Sequence, residues 1–150
     1  MDSISLTKHA SGAPGLRLLG LGGGFKPING LNKLQSLFNQ NTFWAKNRSI
    51  NQLKTMLINS NIIITLWSNS ELIGFGRATT DQVYRAVLWD IVISKHVQRI
   101  GLGKMIIEAL LNDKKIQNVE KVYLMTTNSK DFYTQLGFKV EKNQTLMLIK

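Results

Sequence analysis

The residues best suited to chemistry lie in one stretch, 89–104, where a predicted buried strand runs through a short loop into a helix. Gly101 and Gly103 lack side chains that would keep a ligand from the backbone. A helix start exposes unpaired N–H groups and the positive end of the helix dipole, which together attract anions. Three side chains can add donors at the edge: Gln98, Arg99 and Lys104. The pattern predicts a site for a diphosphate.

Two common phosphate-binding motifs do not fit this loop. A P-loop needs Gly at position 98 and Ser or Thr at position 105, where the chain has Gln98 and Met105. A dinucleotide fingerprint needs Gly at position 106, which is Ile106. A Gly-x-Gly turn also occurs as a plain strand-to-helix connection, so the loop alone leaves both interpretations open.

Hydrophobic periodicity predicts the elements that must position this loop. Helical spacing of apolar residues predicts helices over 29–40, 49–59, 101–111 and 129–136. Runs rich in β-branched residues predict strands over 61–67, 72–79, 85–93 and 119–127, with a closing hairpin over 139–140 and 145–149. Gly74 and Gly76, inside a predicted strand, indicate a bulge or a close backbone approach. This order predicts a mixed α/β (α+β) sheet that is not doubly wound.

The N-terminal residues differ in composition from the rest. Residues 1–30 hold seven of the twelve glycines and both prolines. Ordering so many glycines is entropically costly, so we expect a loose arm over 1–28, with 16–21 as a poor first strand. The folded domain is then expected over 29–150. The arm lacks the apolar core and the arginine-rich amphipathic pattern of targeting segments.

Composition excludes several function classes. The chain has no cysteine and only two histidines, which excludes thiol catalysis, disulfide frameworks and Cys- or His-rich metal sites. No apolar run approaches the ~20 residues of a membrane span. The net charge is +10, and residues 1–70 carry seven Lys or Arg but only one acid, Asp2. Such charge attracts nucleic acid, anionic membranes or phosphate-rich cofactors, although a compositional bias towards Lys, Asn and Ile explains much of it. Basic runs interleaved with aromatic residues are absent, so we expect no nucleic-acid partner.

Two motifs resemble hallmarks of the GNAT superfamily of N-acetyltransferases. Gln98-x-x-Gly101-x-Gly103 after a strand is similar to the superfamily's acetyl-CoA pyrophosphate loop. FYTQLGF at 132–138 resembles its second hallmark, near the C-terminus. A helix and a strand separate the two motifs, as the family requires. The resemblance implies a mostly antiparallel sheet whose strands 4 and 5 splay apart to hold acetyl-CoA, with no metal.

Other stretches are similar to one subgroup of the superfamily. LIGFGRAT at 72–79 and LWD at 88–90 resemble plastid and cyanobacterial members. That subgroup includes chloroplast enzymes that acetylate serotonin and, in some cases, protein amines. The resemblance, over about residues 29–150, implies a plastid location, or the cytoplasm of a cyanobacterium-like host.

The resemblance also implies which residues hold acetyl-CoA. The backbone of Ile91, Val92 and Ile93 would pair with the pantetheine and point an N–H at the acetyl carbonyl. The pyrophosphate would be bound by the loop and the helix start: Gln98, Arg99, Ile100, Gly101, Leu102, Gly103 and Lys104. Asn128 would bond the cofactor chain, with a helix N-cap as the alternative role.

Acetyl transfer needs a neutral amine, a donor for the oxyanion and a proton for the departing thiolate. Tyr133 matches the family tyrosine that protonates the thiolate, and a phenol with a pKa of about 10 is protonated at neutral pH. Val87 stands where many members have a carboxylate base. Asp90 is the best remaining base, and Trp89 and Asp90 are the expected amine contacts. Strict alternation puts Asp90 and Val87 on opposite faces, unless the strand is bulged.

These residues predict an acetyl-CoA-dependent N-acetyltransferase. The acceptor would be an arylalkylamine such as serotonin, or a protein lysine or N-terminal amine, attacking directly in a ternary complex. Asp81, Asp131 and an ordered water chain stay open as alternatives for the base. Because the usual carboxylate is missing, an acetyl-CoA-binding regulatory module without turnover is the alternative function. His96 receives no role, and a homodimer is an open alternative to a monomer.

Overall fold

The computed structural model describes residues 3–98 and 100–150, and within them five strands form one sheet. The strands lie in the order in which they occur along the chain. They are β1 (Ile4–Lys8), β2 (Ile62–Ser68), β3 (Glu71–Thr80), β4 (Arg85–Ile93) and β5 (Lys121–Leu124). The first four run antiparallel to their neighbours, whereas β5 is parallel to β4. The predicted mixed, mostly antiparallel sheet is confirmed.

Helices cover both faces of the sheet. They are α1 (Pro14–Leu19), α2 (Gly30–Asn41), α3 (Ile50–Ile58), α4 (Leu102–Leu111) and α5 (Lys130–Gln135). One apolar cluster joins the first three helices to one face, and a second joins α4 to the other. The start of α3 is fixed by a capping box, because Ser49 and Gln52 each accept the other's backbone N–H. No helix in the described residues is long and apolar enough to cross a membrane.

The N-terminal segment departs from the sequence prediction. Residues 16–21 do not form a strand: they lie in α1 and in the turn that follows it, and the first strand is β1, which pairs with β2. Pro14 presets the first helical turn, and Gly20 ends α1 with a φ of 64°. Leu16 is fully buried in the first cluster. From residue 3 onward, the predicted arm therefore packs as part of the fold.

The C-terminal segment also differs from its prediction. The hairpin expected over 139–140 and 145–149 is not formed in the structure. Exposure of the large apolar side chains from Leu146 to Ile149 ranges from 77% to 97%. The Tyr123 hydroxyl donates to Gln144 Oε1 at 3.0 Å and so links the segment to β5. A segment of high strand propensity forms a strand only where it can pair with another strand and be buried, and residues 145–149 do neither here.

Strand β4 carries the bulge that Gly74 and Gly76 indicated. Phe75 pairs with Val92 and Arg77 with Trp89, so one residue of β3 stands opposite two residues of β4. A Cβ added to Gly76 would lie 2.5 Å from Ile106 Cγ2 and 2.9 Å from Ile91 Cδ1. Gly76 therefore lets α4 approach the sheet closely beside the bulge.

We predict that Gly76→Ala costs about 2 kcal/mol of unfolding free energy, because the new methyl group overpacks the interface between α4 and the sheet. Urea denaturation of the two proteins measures the difference. Gly15→Ala is the matched control, since its Cβ would meet its nearest neighbour, Leu21 Cδ1, at 3.8 Å. Equal stability of wild type and Gly76→Ala would contradict the close packing.

A partly buried histidine just after β1 bonds to β2. His9 Nε2 lies 2.8 Å from Thr65 Oγ1, and Trp67 Nε1 donates to the same oxygen at 2.7 Å. Since the Thr65 hydroxyl accepts from Trp67, its own hydrogen is free to bond the unprotonated Nε2 of His9. Burial lowers the pKa of His9 to about 4. His9 is therefore neutral in the folded protein at neutral pH.

This histidine makes stability depend on pH. The unfolded chain protonates His9 below its ordinary pKa of 6.5, whereas the folded chain does so only near pH 4. Stability from this group is therefore complete above pH 6.5 and falls between there and pH 4, by up to about 3 kcal/mol. An NMR titration compares His9 with the exposed His96 as control. An ordinary pKa for His9 would show that the N-terminal segment is loose after all.

Candidate functional site

The central feature of the site is a gap between β4 and β5. Their pairing extends from Arg85 opposite Lys121 to Leu88 opposite Leu124 and stops there. β5 ends at that point, but β4 continues for five more residues to Ile93. In the described part of the chain, the backbone of these five residues has no strand partner on the β5 side. The predicted splaying of strands 4 and 5 is confirmed, and it leaves backbone groups ready to pair with an extended ligand.

Helix α4 begins just beyond this gap. Gly101 is its N-cap residue, with a φ of 83° that side-chain-bearing residues rarely adopt. A Cβ at Gly101 would meet nothing within 4 Å, so the space beside the backbone is open. The first helical hydrogen bond runs from Met105 N–H to the Gly101 carbonyl at 3.1 Å. The three preceding N–H groups are those that a helix leaves for an anion.

The side chains around the start of α4 differ in their contacts and exposure. Gln98 Nε2 donates to the Ile93 carbonyl at 3.1 Å, so Gln98 fastens the loop to the end of β4. Lys104 is exposed and lies 3.7 Å from Glu108, while Ile100 is 55% exposed. Arg99 lies outside the described residues.

The two sequence motifs meet at Gly103. A Cβ on this residue would lie 3.0 Å from Phe132 Cζ, so the ring of Phe132 rests against the first turn of α4. The Tyr133 ring makes edge contacts with Phe132 and Phe138, with centroids 5.0 and 5.8 Å apart. Gly103 thus allows α5 to pack on α4, a role that the spacing of the motif did not reveal.

Tyr133 packs on the same face of the sheet as α4. It packs against the same apolar cluster as Ile91 and Ile93, whose backbones lie along the unpaired part of β4. Burial raises the pKa of its phenol above the ordinary value. The hydroxyl therefore keeps its proton at neutral pH and is available as a donor.

Asp90 lies at the bulge, in the left-handed region with a φ of 53°. Its carboxylate is 6% exposed and accepts three hydrogen bonds from two arginines. Arg48 donates from both terminal nitrogens at 3.1 and 3.2 Å, and Arg77 donates from Nε at 2.8 Å. Burial alone would raise the pKa of Asp90, but the bonds from Arg48 and the charge of Arg77 bring it below the ordinary value. An ion-paired carboxylate of low pKa is poorly suited to accept a proton.

The bulge therefore places Asp90 on the same face of the sheet as Val87, where a base was expected. Its carboxylate, however, serves as an ion-pair partner. Its carboxylate joins the loop before α3, through Arg48, to β3, through Arg77. No spacing pattern pointed to these arginines, which lie 42 and 13 residues from Asp90 along the chain. The expected base role of Asp90 is disfavoured by this geometry.

The remaining candidates are spread around the site. Trp89 Nε1 donates to Thr79 Oγ1 at 2.9 Å, and its ring lies 5.7 Å from the Arg77 guanidinium carbon. Asn128 is exposed before α5, whose N-cap is Ser129, so the alternative role of Asn128 as N-cap is not the one it takes. Asp131 is exposed.

Two other groups contribute little to the site. The Asp81 carboxylate accepts three backbone N–H groups in the turn before β4, so it is occupied in shaping that turn. His96 is exposed in the loop after β4. Within the described residues, no group of three or more metal-binding side chains could hold a metal ion.

Comparisons with known proteins agree with this geometry. The chain is 38% identical over 100 residues to "Uncharacterized N-acetyltransferase ycf52" of Pyropia yezoensis, a match that covers 63% of this chain and 57% of that protein. It is 36% identical over 67 residues to "GCN5-related N-acetyltransferase 1, chloroplastic" of Arabidopsis thaliana, covering 44% and 34%. The chain thus spans little more than half the length of the first of these relatives.

A solved structure shows the same fold. The GNAT family acetyltransferase SP0256 of Streptococcus pneumoniae superposes with a TM-score of 0.72 at 17% identity, covering 99% of this chain and 98% of that one. The family described as "Acetyltransferase (GNAT) family" matches residues 31–138. The chain therefore belongs to the GNAT acetyltransferase family.

Proposed function

We propose that the protein transfers an acetyl group from acetyl-CoA to a primary amine. The observation that carries this proposal is the unpaired backbone of Ile91–Ile93, which leads from the bulge towards the open N-terminus of α4. Backbone free for strand-like pairing and a helix start suited to an anion thus follow each other along the chain. This combination suits a ligand with an amide-bearing arm and a diphosphate.

The residues present fit acetyl-CoA. Ile91, Val92 and Ile93 would pair with the pantetheine amides, and the N–H groups of Leu102, Gly103 and Lys104 would bind the pyrophosphate. Gln98 would act by holding the loop in place, given its bond to Ile93. The contacts of Ile100, Arg99 and Asn128 with acetyl-CoA, expected from the sequence, are part of this proposal. The ligand supplies a thioester, an acyl group activated towards attack by an amine.

The chain's own groups supply the rest of the chemistry. A backbone N–H at the bulge would stabilise the oxyanion that forms when the amine nitrogen attacks the carbonyl carbon. The attacking nitrogen would lose its extra proton to water, and Tyr133 would give its phenolic proton to the thiolate as the carbon–sulfur bond breaks. The Tyr133 phenolate would then take a proton back from water. Because the Asp90 carboxylate is ion-paired with two arginines, it is poorly suited to take a proton from the amine. The amine must therefore bind in its neutral form. The rate should therefore rise with pH as the acceptor amine deprotonates.

The acceptor is an arylalkylamine or a protein amine in this proposal, attacking directly in a ternary complex. Trp89 borders the acceptor side, with its ring half-buried on β4. We also propose a plastid location, since two of the relatives are chloroplastic by name.

Release of free CoA thiol tests the function. Serotonin, a polyamine and a lysine-bearing peptide are offered separately with acetyl-CoA, and the cysteine-free chain adds no thiol background. Amine-dependent thiol release equal to the acetylated amine formed is the expected result. If acetyl-CoA stabilises the protein thermally but no amine is acetylated, the protein is instead a binding module, a function that the ion-paired Asp90 favours. Neither turnover nor stabilisation would reject acetyl-CoA itself.

A further inference from the structure

The layer formed by α1, α2 and α3 contains no carboxylate side chain. Residues 3–70 have neither Asp nor Glu, whereas residues 71–150 have eight. The same density would place about seven acids in residues 3–70, so a compositional bias of the whole gene does not explain their absence. Lys26, Lys46 and Lys54 are exposed cations within this part of the chain. Residues 3–70 therefore carry only positive formal charges on their side chains.

Exposed apolar side chains lie next to two basic residues of this part of the chain, Arg17 and Lys26. At the end of α1, Leu18 and Leu19 are each 67% exposed, and Phe25 in the following loop is 82% exposed. The bridge between Leu21 and Pro27 closes that loop beside α1, with Phe25 at its tip. Arg17 and Lys26 flank the apolar residues. We call these five residues the N-terminal patch: Arg17, Leu18, Leu19, Phe25 and Lys26.

The backbone of Phe25 is strained although its side chain gains little burial in return. Its φ is 59°, a left-handed conformation that is unfavourable for a residue with a side chain. Gly22, Gly23 and Gly24 precede it, and a Cβ at Gly24 would meet nothing within 4 Å. A large aromatic ring is thus held in solvent at the tip of an open loop. Such an arrangement suits a residue that is buried only when a partner is present.

We propose that the N-terminal patch docks the protein on an anionic lipid surface. Leucine and phenylalanine flanked by Lys and Arg suit the boundary between headgroups and acyl chains. The cations of the acid-free layer would add attraction to anionic headgroups. Aliphatic leucines cannot stack on bases, which favours lipid over nucleic acid as the partner. Docking would leave the gap between β4 and β5 free, because the patch lies at the β1 edge of the sheet.

Vesicle sedimentation tests the proposal with the full chain. Phosphatidylcholine vesicles are compared with vesicles containing about 30% phosphatidylglycerol, and we expect at least about tenfold stronger partitioning onto the anionic ones. Phe25→Gly should lower this partitioning about tenfold while leaving the melting temperature unchanged or higher, since glycine relieves the left-handed strain. Weaker partitioning together with an unchanged or higher melting temperature would show that docking, and not folding, is lost.

A charge-matched pair of variants separates the patch from overall charge. Arg17→Glu with Lys26→Glu should lower partitioning at least about tenfold. Lys114→Glu with Lys142→Glu makes the same change in net charge at exposed positions outside the layer, and should preserve it within about threefold. Equal losses in both pairs, no preference for anionic vesicles, or an unaffected Phe25→Gly would overturn the proposal. So would tighter, patch-dependent binding to duplex DNA, which would assign the patch to nucleic acid.

Discussion

Replacing Tyr133 by phenylalanine is expected to lower kcat by about a hundredfold or more, the usual contribution of a positioned general acid. The substitution keeps the ring that packs between Phe132 and Phe138 and removes only the hydroxyl. Burial raises the pKa of this phenol, so the wild-type group stays protonated beyond pH 10 and no alkaline loss is expected below that. Initial rates of thiol release at saturating acetyl-CoA and amine measure the effect.

The control is Tyr84→Phe, because the Tyr84 side chain is 61% exposed and lies outside the site. Its rate should match that of the wild type, and acetyl-CoA should stabilise both variants thermally to the same degree. An unchanged kcat in Tyr133→Phe would remove the tyrosine from the acid role. A lowered kcat together with lost stabilisation by acetyl-CoA would mean that the hydroxyl serves binding instead.

Asp90→Asn is expected to lower the unfolding free energy by about 3 kcal/mol, because the substitution leaves two partly buried guanidinium groups without their counter-ion. The Asn side chain has the same shape and tolerates the left-handed conformation, so charge is the main change. Urea denaturation at pH 7 measures the loss. This carboxylate acts as an anchor that fixes the bulge and the loop before α3.

Glu120→Gln is the matched control, since Glu120 pairs with Arg85 at 3.4 Å in an exposed position. Losing that pair should cost about 0.5 kcal/mol or less. The interpretation of Asp90 as the general base makes the opposite prediction. In that case Asp90→Asn would fold with nearly full stability and lose its turnover.

Local sequence signals were sufficient for the elements that position the site. The start of α4 at Gly101 could be predicted because a helix start and a positive φ are both determined by residues close together in the sequence. The irregularity at Gly76 was also indicated, since a glycine inside a strand suggests a bulge or a close backbone approach. Pro14 and Gly20 carried the signal for α1, but the glycine-rich composition around them obscured it.

Other features depend on contacts between distant parts of the chain. The pairing of Asp90 with Arg48 and Arg77 requires the bulge, the loop before α3 and β3 to meet, and no spacing encodes that meeting. The packing of Phe132 on Gly103 likewise depends on how α5 returns over α4. At 145–149 the strand propensity is clear, but propensity does not supply a pairing partner.

The central claim is that the gap between β4 and β5 binds acetyl-CoA along β4 and at the start of α4. Backbone amide NMR of the isotope-labelled protein during titration with CoA tests it most directly. We predict the largest shift changes at Ile91–Ile93 and at Leu102, Gly103 and Lys104. If these amides stay unchanged while the largest changes fall elsewhere, for example in the polar groove beside Lys33, Gln40 and Glu71, the account is contradicted.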